Sequence, residues 1–141
     1  GVRDALAEAG LELAPPRLVE APYALDAGAE AVTGLLALDP RPTAILCGND
    51  VLAAGAMLGL RAAGRAVPGE VSLTGFDDIE LARLLDPPLT TVRVPHAEMG
   101  ETAARTLLAM RGRAGGGGSR RLEARVVERG SLAPPPVEAG G

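Results

Sequence analysis

Apolar residues recur along the chain in two rhythms. From Asp26 to Leu38, Ala27, Ala31, Leu35 and Leu38 fall on one face at helical spacing, with Asp26 placed to cap the first turn. From Thr43 to Cys47 the run TAILC is continuously apolar, as in a strand buried on both faces. Gly48-Asn49-Asp50 then turns the chain into a helix over 51–63 that Gly64 stops. The same alternation continues with a strand over 71–76, Asp77-Asp78, a short helix over 79–85, a strand over 90–94 and a helix over 96–111 behind Pro95. Before these, a short helix over 2–9 ends at Gly10, Pro15-Pro16 breaks the chain, and 17–21 reads as a short strand. After them, 112–119 carries four consecutive glycines and reads as a flexible loop, 121–129 alternates as a strand, and the Pro- and Gly-rich end frays.

Strand and helix alternating over short connections predict an α/β fold, a parallel sheet with helices on both faces. Ligands of such sheets sit beyond the carboxyl ends of the strands. That places attention on Gly48-Asn49-Asp50 and on Asp77-Asp78.

Composition narrows the possibilities. With 47% hydrophobic residues in 141, the chain can bury one domain's core. Tyr23 is the one tyrosine and Phe76 the one phenylalanine, so the core is built of Leu, Val and Ala. A net charge of −4 argues against nucleic-acid binding by this chain alone, which calls for a basic face. A lone cysteine, Cys47, rules out an internal disulfide and fits a reducing compartment. No apolar run is long enough to span a bilayer.

Several residues carry chemistry in principle. Either Asn49 or Asp50 caps the helix that follows; the Asn amide also offers donors and an acceptor to a hydroxyl or a base edge. Asp78 reads as a cap of the next helix, and Asp77 as a carboxylate that hydrogen-bonds sugar or ribose hydroxyls. Tyr23, in a strand-to-helix loop, is either a plug at the core edge or a stacking platform. His96 reads as an exposed first-turn residue and Cys47 as a small buried hydrophobe. No Ser-His-Asp arrangement, phosphate-binding glycine loop or second acidic cluster points to catalysis, to a metal or to a cofactor.

Taken in order, RPTAILCGND (41–50), VPGEVSLTGFDD (67–78), PPLTTVRVP (87–95), MGETAARTLL (99–108) and VVERGSL (126–132) resemble the LacI/GalR family of bacterial regulators. The resemblance covers 1–134 and implies the C-terminal part of an effector-binding domain of the type I periplasmic-binding-protein kind, with 135–141 a disordered tail. It implies that Tyr23 stacks on a small polar effector while Asn49 and Asp77 bond its hydroxyls. It also implies a homodimer through Ala54, Met57 and Leu58 on one helix and Leu81, Leu84 and Leu85 on another. Such a regulator is cytoplasmic and touches operator DNA through a helix-turn-helix outside this sequence. Its helix over 96–111 packs on a first subdomain that is also outside it. Val94 stands where lactose- and purine-type repressors carry glutamine, which removes one polar contact to the effector. The rival readings are a sugar-binding protein of an uptake system and an enzyme on a nucleotide-binding α/β fold.

Overall fold

The computed structural model describes residues 1–111 and 119–136. The glycine run and most of the expected tail therefore lie outside the described residues. Ten elements follow one another: α1 (Val2–Glu8), a 3-10 turn (Pro15–Arg17), α2 (Leu25–Leu36), β1 (Ala44–Leu46), α3 (Asp50–Ala62), β2 (Ser72–Thr74), α4 (Leu81–Leu84), β3 (Thr91–Arg93), α5 (His96–Met110) and β4 (Arg125–Val127). The predicted alternation holds, with one exception. The segment expected as a strand over 17–21 is a 3-10 turn running into extended chain, because among the described residues no neighbouring strand offers it a ladder to join.

β1 and β2 pair in parallel, Ile45 opposite Leu73. Single parallel bridges, Thr74 to Thr90 and Asp77 to Arg93, continue the ribbon onto β3. β4 closes it antiparallel to β3, with Val92 opposite Val126. The order is thus β1-β2-β3-β4, parallel except at its last strand.

The core is aliphatic, as composition required. Val32 and Leu35 of α2, Ala53, Ala56, Met57 and Leu60 of α3, Ile45 of β1 and Leu73 of β2 pack together with Val71, Ala82 and Leu89. Burying a leucine such as Leu60, Leu73 or Leu89 contributes roughly 1.5–3 kcal/mol. The buried face of α2 is centred on Gly28, Val32 and Leu35; of the expected stripe Leu35 is buried and Leu38 packs against the core, while Ala27 and Ala31 sit one residue round from Gly28 and Val32. The reason is close approach. A Cβ on Gly28 would stand 2.3 Å from the Leu52 carbonyl oxygen, and one on Gly55 would stand 2.0 Å from that of Leu25. The two helices are in backbone contact through these glycines. Gly55→Ala should therefore cost about 1–3 kcal/mol in urea unfolding, the range for overpacking, although alanine is the better helix former.

β1 departs from the double burial expected of TAILC. Ile45 is buried, while Leu46 on the opposite face is 61% exposed. That face borders an apolar cavity of about 650 Å³ between β1, α2 and the extended segment of Leu18, Val19 and Ala21. α5 stands apart: it buries no residue, and Leu107 and Leu108 are each 70% exposed. Among the described residues it makes no substantial contact with any other helix or strand. No helix among the described residues is long and apolar enough to cross a membrane.

Candidate functional site

Two loops at the carboxyl ends of β1 and β2 lie side by side. The first is Gly48-Asn49-Asp50. Asn49, not Asp50, caps α3: its Oδ1 accepts the Leu52 amide at 2.8 Å. The capping oxygen is thus occupied, while the side-chain amide nitrogen of Asn49 has no partner among the described residues and keeps two N–H donors for a ligand. Tyr23 stands over the same loop. Its ring is 71% exposed, and a Cβ on Gly48 would lie 3.6 Å from its Cε1. A large ring left in water by a chain with so few of them fits a stacking platform better than a plug at the core edge.

The second loop is Phe76-Asp77-Asp78-Ile79. Asp77 and Asp78 have φ of 105° and 55°. Side chains other than glycine seldom adopt this left-handed region, and strain of this kind concentrates at ligand-contacting loops. The Asp77 amide donates to the Val92 carbonyl at 2.9 Å, which fixes the loop to the neighbouring strand. Its carboxyl group is partly exposed, and His96 Nε2 stands 3.7 Å from Oδ1. His96 opens α5 and is itself mostly exposed, as its position in the sequence predicted.

Asp50 joins the two loops. It is wholly buried: Oδ2 accepts the Ile79 amide at 2.8 Å, Oδ1 accepts the Thr91 hydroxyl at 2.5 Å, and its own amide donates to the Phe76 carbonyl at 2.9 Å. Room for it comes from Gly75, where a Cβ would stand 2.2 Å from Asp50 Oδ1. Asp50 is thus a structural tie and not a cap.

Asp78 does not cap a helix either. α4 begins only at Leu81 and has no side-chain cap. The Asp78 carboxyl group is 1% exposed and lies between Arg93 Nε at 2.6 Å and Arg129 Nη2 at 2.5 Å. Burial pushes its pKa up, but the hydrogen bonds from Arg129 and Arg93 outweigh that and hold it below the usual carboxylate value. Burial also pushes the Cys47 thiol up to about 12, in keeping with an unreactive small hydrophobe.

The structure therefore brings together the loops that carry Asn49 and Asp77, with Tyr23 beside the first. The site is an open shelf and not a cavity: the 650 Å³ cavity touches it only at Gly48 and is not lined by Tyr23, Asn49 or Asp77. Sequence reasoning missed the partners of Asp78. The signal was there in two arginines, Arg93 and Arg129, at the ends of strand-like segments where water-facing charge has no local reason. Among the described residues no group of three His, Cys, Asp or Glu could hold a metal ion.

Residues 1–132 match the family of periplasmic binding protein-like domains. The chain belongs to that family. Within it the chain is similar to LacI-type repressors. It is 42% identical over 108 residues to the ribose operon repressor of Haemophilus influenzae, covering 77% of this chain and 32% of that protein. It is 38% identical over 132 residues to the HTH-type transcriptional repressor CytR of Escherichia coli K12, covering 93% and 39%. Among solved structures, the transcriptional regulator CelR in complex with cellobiose superposes with a TM-score of 0.86 at 32% identity, covering 92% of this chain and 40% of that one. The chain thus spans between about a third and two fifths of the length of these relatives. Both the resemblance read from the sequence and the α/β periplasmic-binding-protein fold hold.

The dimer surface implied by that resemblance divides in two. Ala54 and Met57 are buried in the chain's own core, at 2% and 5% exposure, so neither is free to meet a partner. Leu85 packs against the core and Leu81 is half-buried, whereas Leu58 and Leu84 are 54% and 75% exposed. Two adjacent leucines on a one-turn helix cannot both face inward, and it is Leu84 that faces out.

Proposed function

We propose that this chain is the effector-sensing and dimer-forming part of a LacI-type transcriptional regulator, cytoplasmic and without catalytic activity of its own. The ligand is a sugar or a molecule of nucleoside size, held on the shelf of Tyr23, Asn49 and Asp77. The observation that carries this reading is the conformation of Asp77: a left-handed, partly exposed aspartate at a strand's carboxyl end, beside a loop whose asparagine keeps its amide donors free. Tyr23 supplies an apolar face for a sugar ring or base, and the carboxylate and amide pair with hydroxyls. The names of the relatives favour a regulator over an uptake protein, and cellobiose in one neighbour is a ligand of the same class. Operator contact falls to a helix-turn-helix domain of the kind for which CytR, an HTH-type repressor, is named. Ligand binding acts by shifting the population of arrangements in which such a domain engages DNA.

The experiment uses a feature of the composition. With one tyrosine and no tryptophan, intrinsic fluorescence reports on Tyr23 alone. Titration with ribose, cellobiose and adenosine should give a saturable change for at least one of them. A flat response to all three contradicts the reading.

For the homodimer, Leu58 and Leu84 are the surface leucines left on the α3 and α4 faces, and α5 adds an apolar stripe with Met99 and Leu107 exposed. Sedimentation at micromolar concentration should show a species larger than the monomer, reduced by Leu84→Asp. A sharp monomer contradicts it.

A further inference from the structure

β3 and β4 are the two strands through which the chain leaves and rejoins its packed body. Between them in sequence comes α5, with no buried residue and, among the described residues, no substantial contact to any other element. Whatever α5 attaches to is therefore mechanically joined to the body through β3 and β4. At or just beyond the carboxyl end of each strand an arginine reaches the same carboxyl group. Arg93 closes β3 and binds Asp78 Oδ2; Arg129, two residues past β4, binds Asp78 Oδ1. Arg129 is itself held, its Nη1 donating to the Leu89 carbonyl at 2.7 Å and its backbone amide to Thr90 Oγ1 at 2.8 Å. Asp78 follows Asp77 directly, and both hold left-handed backbone.

We infer that Asp78 is a positioning residue for the ligand shelf, one that locks the Asp77 loop to both crossing strands through Arg93 and Arg129, so that the loop and the crossings move together. This rests on the reading of Asp77 as a ligand contact for its purpose, but not for its geometry. Three features support it. The carboxyl group is 1% exposed and Arg129 13%, so that ion pair is little weakened by water, unlike pairs at the surface, while the pair with Arg93 stands partly in solvent. Its two oxygens are divided between the two strands, one each, so that neither crossing can shift without breaking a bond to the loop. The Asp77 amide bond to Val92 makes a second tie between the loop and β3, beside that of Arg93. A carboxylate needed only to neutralise a buried arginine would not have to join two strands, nor to sit in left-handed backbone beside the ligand residue.

Amide hydrogen exchange on the isotope-labelled chain tests this without a ligand. Asp78→Asn keeps the shape and removes the charge. Arg93→Gln removes a partner that is 57% exposed, so it leaves the core intact. In both variants the amides of Asp77 and Arg129 should exchange about 10-fold faster or more, while Leu60 in α3 changes by less than about 3-fold, the pattern of local rather than global opening. Asp78→Asn combined with Arg129→Gln should show less than the product of the two single effects, since both break one contact. Unchanged exchange at Asp77, equal acceleration at Leu60, or multiplicative single effects would each overturn the proposal. Tyr23 fluorescence with ribose, cellobiose and adenosine forms a separate arm. If the unmodified chain binds none of them, the functional reading fails while the exchange result still decides the coupling. If it binds one, Asp78→Asn should weaken that binding 3-fold or more although Asp78 touches no ligand, and Asp78→Glu should restore part of it; unchanged binding overturns the proposal.

Discussion

Asp50→Ala should lower the unfolding free energy by roughly 2–5 kcal/mol, because it leaves two buried polar groups without partners. These are the Ile79 amide and the Thr91 hydroxyl, both bonded to the wholly buried carboxyl group. Water cannot replace the lost oxygens without entering the packed space beneath Gly75. Urea unfolding followed by circular dichroism measures the loss. Asp50→Asn is the informative control. Its Oδ1 can still accept from the Ile79 amide, while its amide nitrogen can donate to Thr91 Oγ1, since a hydroxyl accepts as well as it donates. The asparagine variant should therefore lose less than half as much as the alanine variant. Equal losses would mean that the charge, and not the hydrogen bonding, holds the loops. No loss in either would remove Asp50 from its place as the tie between the two loops.

Asp77→Ala should weaken ligand binding by roughly 1.5–3 kcal/mol, about 10- to 150-fold, the range for a hydrogen bond to a charged group. The fold should not suffer comparably. The Asp77 carboxyl group is partly exposed, it stands beside the solvent-facing His96, and the backbone bond to Val92 survives the substitution. Some cost remains, because alanine tolerates φ of 105° less well than aspartate does. The substitution thus separates binding from stability, which Asp50→Ala does not. Calorimetric titration with whichever of ribose, cellobiose or adenosine quenches or enhances Tyr23 fluorescence supplies the number. An unchanged affinity would take Asp77 out of the site.

What the residues revealed in advance follows from where the governing interactions are local. Helix and strand order could be read from periodicity because α3 carries its own cap in Asn49 and its stop in Gly64, and α5 follows Pro95 with apolar residues at helical spacing. The two loops that matter were found for the same reason: each follows an apolar strand and opens on polar residues. The segment over 17–21 was misread because a strand exists only by virtue of a neighbour, and its composition says nothing of whether one is present. The role of Asp50 was hidden in a different way. Choosing between Asn49 and Asp50 as the cap requires knowing which side chain faces inward, and that is set by Thr91, 41 positions later. The partners of Asp78 lie 15 and 51 positions away. The close approach of α2 to α3 at Gly28 and Gly55 is likewise something that no pattern within either helix alone discloses. Long-range polar pairs and helix-to-helix close approaches are the interactions that one-dimensional patterns do not hold.

A polar ligand on the shelf of Tyr23, Asn49 and Asp77 should be visible residue by residue. Chemical-shift mapping on the isotope-labelled chain, titrated with ribose, cellobiose and adenosine up to high millimolar concentration, tests it most directly, because weak binding to an open shelf still moves resonances. The account predicts saturable shifts confined to Tyr23, Gly48, Asn49, Phe76 and Asp77, including the Asn49 side-chain amide. Shifts centred on the apolar cavity at Leu18, Val19 and Leu46, or on α5, with the shelf unmoved, would contradict it.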